Sequence, residues 1–77
     1  VSDRDPRWVR RNALVALGNV GRAEDADVRR CLTTYLAHPD PLLRAHAVWA
    51  ARRVGLDSLL PTGDADPMVV DELTAAL

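Results

Sequence analysis

The side chains with the clearest potential for chemistry are ten arginines, which stand beside eleven Asp and Glu and no lysine, for a net charge of −1. A guanidinium binds a phosphate through two parallel hydrogen bonds, so a row of them on one face would form a phosphate-binding surface. The candidate phosphate contacts are Arg10, Arg11, Arg44, Arg29 and Arg30. The alternative is that these arginines pair with loop aspartates such as Asp3, Asp25 or Asp40 and tie one part of the fold to the next.

Two tryptophans indicate a second candidate site, a docking surface. Trp8 and Asn12 share a stripe of the predicted first helix, and His46 and Trp49 share the equivalent stripe of a helix 34 residues later. Apolar residues on two sides of a helix are typical of one wedged between neighbours, or of one that receives another domain. The indoles fit packing in a core without Phe, contact with a partner, or stacking on unpaired bases.

No pattern in the sequence predicts a catalytic or metal site. His38 and His46 lack a third ligand at a suitable spacing; we expect His46 to bond a backbone carbonyl and His38 to flank a helix C-terminus. A single cysteine, Cys31, excludes a disulfide framework or a thiolate cluster held by this chain alone, and we expect it in the core. Gly18 and Gly21 fall at a helix C-terminus, the wrong end for an anion. We therefore predict no catalytic residue, no metal ligand and no small-molecule substrate.

The elements that must position these residues are marked by Asp-Pro, which occurs at residues 5–6, 40–41 and 66–67, each time ahead of apolar residues with helical spacing. Aspartate accepts hydrogen bonds from the first amides of a helix, and proline suits the first helical position. Gly21 and Gly55 follow two of these stretches, where a left-handed glycine would end a helix. The sequence predicts a helical turn within 56–60 and helices at 6–20, 26–37, 41–54 and 67–77.

The strongest signal is an internal repeat. Shifted by 34 residues, 9–21 aligns with 43–55, with identities at the arginine, two alanines, the valine and the glycine. A helix pair recurring roughly every 30–40 residues is typical of an α-solenoid, in which each unit buries its apolar face against its neighbours. We predict an all-α fold, a short right-handed α-solenoid forming one domain over 1–77. Its units cover 5–38, 40–61 and, cut short, 66–77.

Apolar stripes predict which helix faces form the core. In the first helix the predicted core residues are Val9, Ala13, Ala16, Leu17 and Val20. In the second they are Val28, Cys31, Leu32, Tyr35 and Leu36, with Arg29, Arg30, Thr33 and Thr34 facing water. In the third they are Leu43, Ala47, Ala50, Ala51 and Val54.

The motif Asp-Pro-x-x-Val-Arg-x-x-Ala-x-x-Ala-Leu-Gly-x-x-Gly, over residues 5–21, resembles the HEAT-like repeat found in phycobilisome lyases and many other proteins. The stretches 10–19 and 46–50 are similar to the HEAT-like C-terminal domain of bacterial tRNA epoxyqueuosine reductase, an iron–sulfur protein. The resemblance implies HEAT-like helix pairs at the C-terminus of a longer polypeptide, and we expect such a fragment because the first residue, Val1, is not Met.

For function, the resemblance implies a recognition domain without an active site, attached to an oxidoreductase of queuosine biosynthesis. The parent would hold cobalamin and two [4Fe–4S] clusters in its upstream catalytic domain, outside these 77 residues. This domain would help to hold the tRNA anticodon stem-loop through its arginines, in the cytoplasm and away from membranes. The alternative is a generic protein–protein interaction scaffold that uses the docking surface.

Overall fold

The computed structural model describes residues 6–75, which form α-helices and one short 3₁₀ helix without any strand. The predicted all-α fold is confirmed. The α-helices are α1 (Pro6–Val20), α2 (Ala26–Leu36), α3 (Pro41–Arg53) and α4 (Pro67–Thr74), and the 3₁₀ helix covers Asp57–Leu59. The first three helices agree with their predicted bounds to within one residue. The predicted end of the fourth is wrong, because it ends at Thr74 and the backbone of Ala75 is extended. Residues 76–77 lie outside the described range.

Aspartate side chains begin α2, α3 and α4. Asp40 accepts a hydrogen bond from the Leu42 amide at 2.9 Å, and Asp66 accepts one from the Met68 amide at 2.9 Å. Asp25 caps α2 in the same way. The Asp-Pro interpretation is therefore confirmed at its second and third occurrences, while the aspartate of the first lies outside the described residues.

The two glycines predicted to end helices behave differently. Gly55 has a φ of +84° and lets the Leu56 amide reach back to the Ala51 carbonyl at 2.8 Å, as in a Schellman motif. The left-handed conformation predicted for Gly21 is wrong, because its φ is not positive. Its amide continues the helical pattern with a 2.7 Å bond to the Leu17 carbonyl, and a Cβ on Gly21 would lie 2.5 Å from that oxygen.

Helix α3 is the centre of the fold, because α1, α2 and α4 all pack against it. Of the two interpretations of its apolar sides, a helix wedged between neighbours describes α3, since it contributes to both buried clusters. The cluster on the side of α1 and α2 consists of Leu14, Val28, Leu32, Leu43, Ala47, Ala50, Ala51 and Leu56. The cluster on the side of α4 consists of Ala45, Val48 and Val69.

The prediction for α2 is confirmed. Val28 and Leu32 are buried, and Cys31, Tyr35 and Leu36 are partly buried. The residues predicted to face water are all exposed; they are Arg29, Arg30, Thr33 and Thr34.

The predicted core face of α1 is wrong. The buried residues of α1 are Leu14 and Gly18, and of the predicted set Leu17 alone packs against the core. The corresponding face of α3 is buried because α1 and α2 cover it, whereas no described helix covers that side of α1. The exposed residues of the predicted face are Val9, Ala13, Ala16 and Val20.

Gly18 lies in a tightly packed part of the contact between α1 and α3. A Cβ built on it would lie 2.5 Å from Cζ3 of Trp49 and 3.1 Å from Cα of Ala50. A side chain at this position would therefore push the indole or the α3 backbone away.

We expect Gly18→Leu to destabilise the protein by about 1–3 kcal/mol or more, because a core without free space is strained by added methylene groups. Thermal unfolding followed by circular dichroism measures the effect. Ala16→Leu is the matched control, since the same side chain is then added to an exposed position of the same helix. Equal melting temperatures for the two variants would contradict this account of the α1–α3 contact.

Candidate functional site

Arg44, one of the five predicted phosphate contacts, is held by an aspartate and two carbonyls. Its Nε and Nη2 donate to the two carboxylate oxygens of Asp64 at 3.0 and 3.1 Å. Its Nη1 donates to the carbonyls of His38 and Pro39 at 2.9 and 3.0 Å. The hydrogen bonds between them raise the pKa of Arg44 and lower the pKa of Asp64. Arg44 thus joins the loop before α3 to the loop before α4.

Arg7 makes an equivalent connection from α1. Its Nε lies 2.8 Å from Oδ2 of Asp40, the residue that caps α3. Burial alone would raise the pKa of Asp40, but hydrogen bonds from Arg7 and from the Leu42 amide lower it overall. The alternative in which repeat arginines pair with loop aspartates therefore describes Arg7 and Arg44, with Asp40 among the partners expected and Asp64 not foreseen.

The other four candidate arginines have different surroundings. Arg10 and Arg29 are exposed, and their side chains make no hydrogen bond or ion pair with any residue from 6 to 75. Arg30 lies 2.9 Å from Asp27 in a pair whose side chains are 74% and 85% exposed, so water competes strongly for it. The guanidinium of Arg11 lies over the Trp8 ring, 4.8 Å from its centroid.

Arg10 and its repeat counterpart Arg44 differ in the residue that lies two places before the cap of the next helix. Arg10 and Arg44 are equivalent in the repeat, and Arg44 pairs with the residue two places before the cap of the next helix, Asp64. The residue two places before the Asp40 cap is His38. His38 accepts a hydrogen bond from the Asp40 amide through Nδ1 at 3.0 Å, as Asp64 does for the next cap, but it brings no negative charge to Arg10.

A groove of about 250 Å³ lies where α1 and α4 flank α3. It is lined by Val15, Ala45, His46, Trp49, Met68 and Glu72. Two residues of the predicted docking surface, His46 and Trp49, therefore lie in it. The Trp8 ring is covered by the guanidinium of Arg11, and Asn12 is exposed on α1 outside the groove.

The polar groups of the groove differ in how far they are satisfied. His46 directs Nδ1 to the Leu42 carbonyl at 2.9 Å, which confirms the expectation that it bonds a backbone carbonyl. The Glu72 carboxylate makes no hydrogen bond or ion pair within the described part of the chain, although its backbone carbonyl accepts one from Arg52 at 2.7 Å. The guanidinium of Arg53 covers the Trp49 ring, 5.3 Å from its centroid.

The sequence analysis did not predict that α4 contributes to the groove. Met68 and Glu72 are four residues apart, so they lie on one face of the helix. That spacing was readable from the sequence, but the register in which α4 meets α3 was not. The groove therefore has a mainly apolar lining, an imidazole bonded to the backbone, and one carboxylate without a partner among the described residues.

Comparison with known protein families assigns the chain to one of them. The family of HEAT repeats matches residues 1–77. The chain belongs to the HEAT-repeat family. HEAT repeats generally suggest a protein-interaction scaffold. No curated protein and no solved structure matches this HEAT-repeat chain, and nothing in these comparisons links it to epoxyqueuosine reductase.

Residues 6–75 contain no group of three His, Cys, Asp or Glu placed to hold a metal ion. Within the same range, every helix is too short or too polar to cross a bilayer. Burial raises the pKa of the Cys31 thiol, which favours its protonated form at neutral pH.

We expect Asp64→Asn to lower the melting temperature of the HEAT-repeat chain by several degrees at pH 7, because Arg44 loses its charged partner. The pKa of Asp64 is lower in the folded chain, so the pair stabilises the fold fully above the unfolded-state value of about 4 and progressively less as the pH falls through the folded-state value. The variant should therefore lose less stability than the original chain between about pH 5 and pH 2.

Melting curves at a series of pH values measure both effects. Arg30→Ala is the control, since it breaks a pair that is exposed on both sides and should change the melting temperature by no more than about 1–2 °C. The same pH dependence in Asp64→Asn and in the original chain would show that the Arg44 pair does not stabilise the fold.

Proposed function

We propose that this HEAT-repeat chain is a protein-binding module without catalytic activity, and that its binding site is the groove between α1, α3 and α4. The observation that carries the proposal is the combination of an apolar lining with one carboxylate lacking a partner among the described residues. The complementary partner is a peptide segment with an apolar side chain beside a lysine or arginine.

The size of the groove favours an anchoring side chain over a small-molecule substrate. Its volume of about 250 Å³ is below the roughly 300–1,000 Å³ of pockets that enclose drug-sized ligands. Tryptophan and methionine, both present in the lining, are enriched where proteins bind each other. Because Met68 is 42% exposed, its thioether is accessible to an incoming side chain.

The Glu72 carboxylate would set the preference for charge. A cation placed against it on the partner would gain an ion pair without breaking an existing one among the described residues. At the rim of an interface such a pair acts more on selectivity than on affinity, while the apolar anchor supplies most of the binding free energy.

We expect a displayed-peptide library selected against the chain to yield segments with Leu, Ile, Met or Phe next to Lys or Arg. Met68→Glu should weaken the selected peptides by about tenfold or more, because it places a charge in the apolar lining. Glu72→Gln should weaken them by about two- to fivefold and reduce the preference for a basic neighbour. Fluorescence anisotropy of labelled peptides measures these changes.

Val70→Glu is the matched control for Met68→Glu, because it adds the same charge to an exposed position of the same helix outside the groove. Peptides that bind equally to the original chain and to Met68→Glu, or a selection that yields no peptide, would contradict the proposed site.

A second candidate function follows from the resemblance to epoxyqueuosine reductase. In that proposal the chain holds a tRNA anticodon stem-loop beside an upstream catalytic domain that carries cobalamin and two [4Fe–4S] clusters. Arg10 and Arg29 support it, because both are exposed and lack a partner among the described residues. Arg44 weakens it, because its guanidinium is engaged by Asp64.

Binding to a tRNA with a GUN anticodon, and to one without it, tests this candidate at low and moderate salt. If it holds, affinity falls steeply with salt, and Arg10→Ala or Arg29→Ala each reduces the salt slope by about one. Arg22→Ala removes the same charge from an arginine paired with Glu24 and serves as the control. No binding to either tRNA at low salt would exclude the tRNA proposal and leave the peptide proposal standing.

A further inference from the structure

We infer that the exposed apolar side of α1 is the docking surface for a further helix pair of HEAT type, which packs on α1 as α1 and α2 pack on α3. This side, called the open α1 face below, consists of Val9, Ala13, Ala16 and Val20. It is separate from the groove and independent of the function proposed for the groove.

Three equivalent residues show that, within residues 6–75, the open α1 face lacks a neighbour that its counterparts have. Val9 corresponds to Leu43 by the 34-residue repeat, although the Asp-Pro pairs at 5–6 and 40–41 lie 35 residues apart. Leu43 corresponds to Val69 because each is the third residue of its helix. Leu43 and Val69 are each 1% exposed, whereas Val9 is 54% exposed. The residue type at this position stays apolar in all three helices, but only the second and third copies are covered.

The helices that cover α3 indicate what kind of element would cover the open α1 face. Ala47 and Ala50, the counterparts of two alanines of the open α1 face, are 0% exposed. They belong to one buried cluster with Leu14 of α1 and with Val28 and Leu32 of α2. The interface between the first and second units thus indicates what would pack on the open α1 face. The occupant is a pair of helices that presents a ridge of branched apolar side chains to a surface of alanine and valine.

A second copy of this chain does not supply that ridge from its α4 side. Leu14 and Val48, at 1% and 0% exposure, pack towards the next helix of the array, and Thr74 is their counterpart in α4. Thr74 is exposed and its hydroxyl bonds the Val70 carbonyl, and Asp71 beside it is exposed as well. Stacking copies head to tail would press this carboxylate against the open α1 face, where burial without a partner is costly.

The test places a copy of residues 6–36, which span α1 and α2, directly ahead of the full chain. Residues 1–5 then serve as the connection, close in length to the four-residue connection between α2 and α3. We expect the extended chain to melt in one transition at a higher temperature than the original chain, because stacked repeats stabilise each other through their interfaces.

Two matched substitutions separate docking from general stabilisation. Val9→Asp, in the original copy, and Val70→Asp each change the fourth residue of a helix that begins with proline, and both residues are exposed. In the original chain both should move the melting temperature by less than about 2 °C. In the extended chain Val9→Asp should lower it by about 5–10 °C, and Val70→Asp should still have little effect.

Three results would overturn the inference. One is an equal effect of Val9→Asp in the original and extended chains. Another is limited proteolysis that removes the added helices and leaves the original 77 residues intact. The third is a dimer of the original chain in sedimentation that Val9→Asp abolishes, since the occupant would then be a second copy. A monomer in sedimentation, together with the shift specific to Val9 in the extended chain, would support it.

Discussion

The fold depends on the burial of α3 on two opposite sides. Four alanines make this possible, because a small side chain lets neighbouring helices approach the α3 axis closely from both directions. The alanines are Ala45, Ala47, Ala50 and Ala51, each no more than 2% exposed. Gly18 of α1 has the same effect on the other side of the α1–α3 contact, because its lack of a side chain leaves room for the Trp49 ring. The groove is a product of this arrangement, since α1 and α4 contact α3 on different sides and leave space between them.

Polar connections hold the units in register around that centre. Arg44 spans from α3 to the loop before α4, and Arg7 spans from α1 to the cap of α3. In both, the arginine reaches the acidic residues that also organise the start of the next helix. Helix capping and the contact between units are therefore properties of the same side chains, and this explains why arginines that could bind phosphate in isolation are committed to the fold.

The sequence predicted local features well and the choice of neighbours poorly. Asp40, Asp66 and Gly55 act through atoms within a few residues of themselves, so the helix bounds could be read from the chain. Val9 has the same local pattern as Leu43, yet it is exposed, because burial depends on which helices lie beside it. The groove and the pairing of Arg44 likewise depend on how α4 is placed, which no periodicity in the sequence encodes.

The shortness of α4 links the groove to the local stability of the molecule. A helix of eight residues is not stable alone in water, and α4 packs through Val69 and Leu73 against the cluster that contains Ala45 and Val48. When α4 separates from α3, the groove loses the wall formed by Met68 and Glu72 and ceases to exist. Any ligand of the groove therefore binds only the docked form, and its binding free energy is added to the free energy that keeps α4 in place. Occupancy of the site and order in α4 are therefore coupled equilibria.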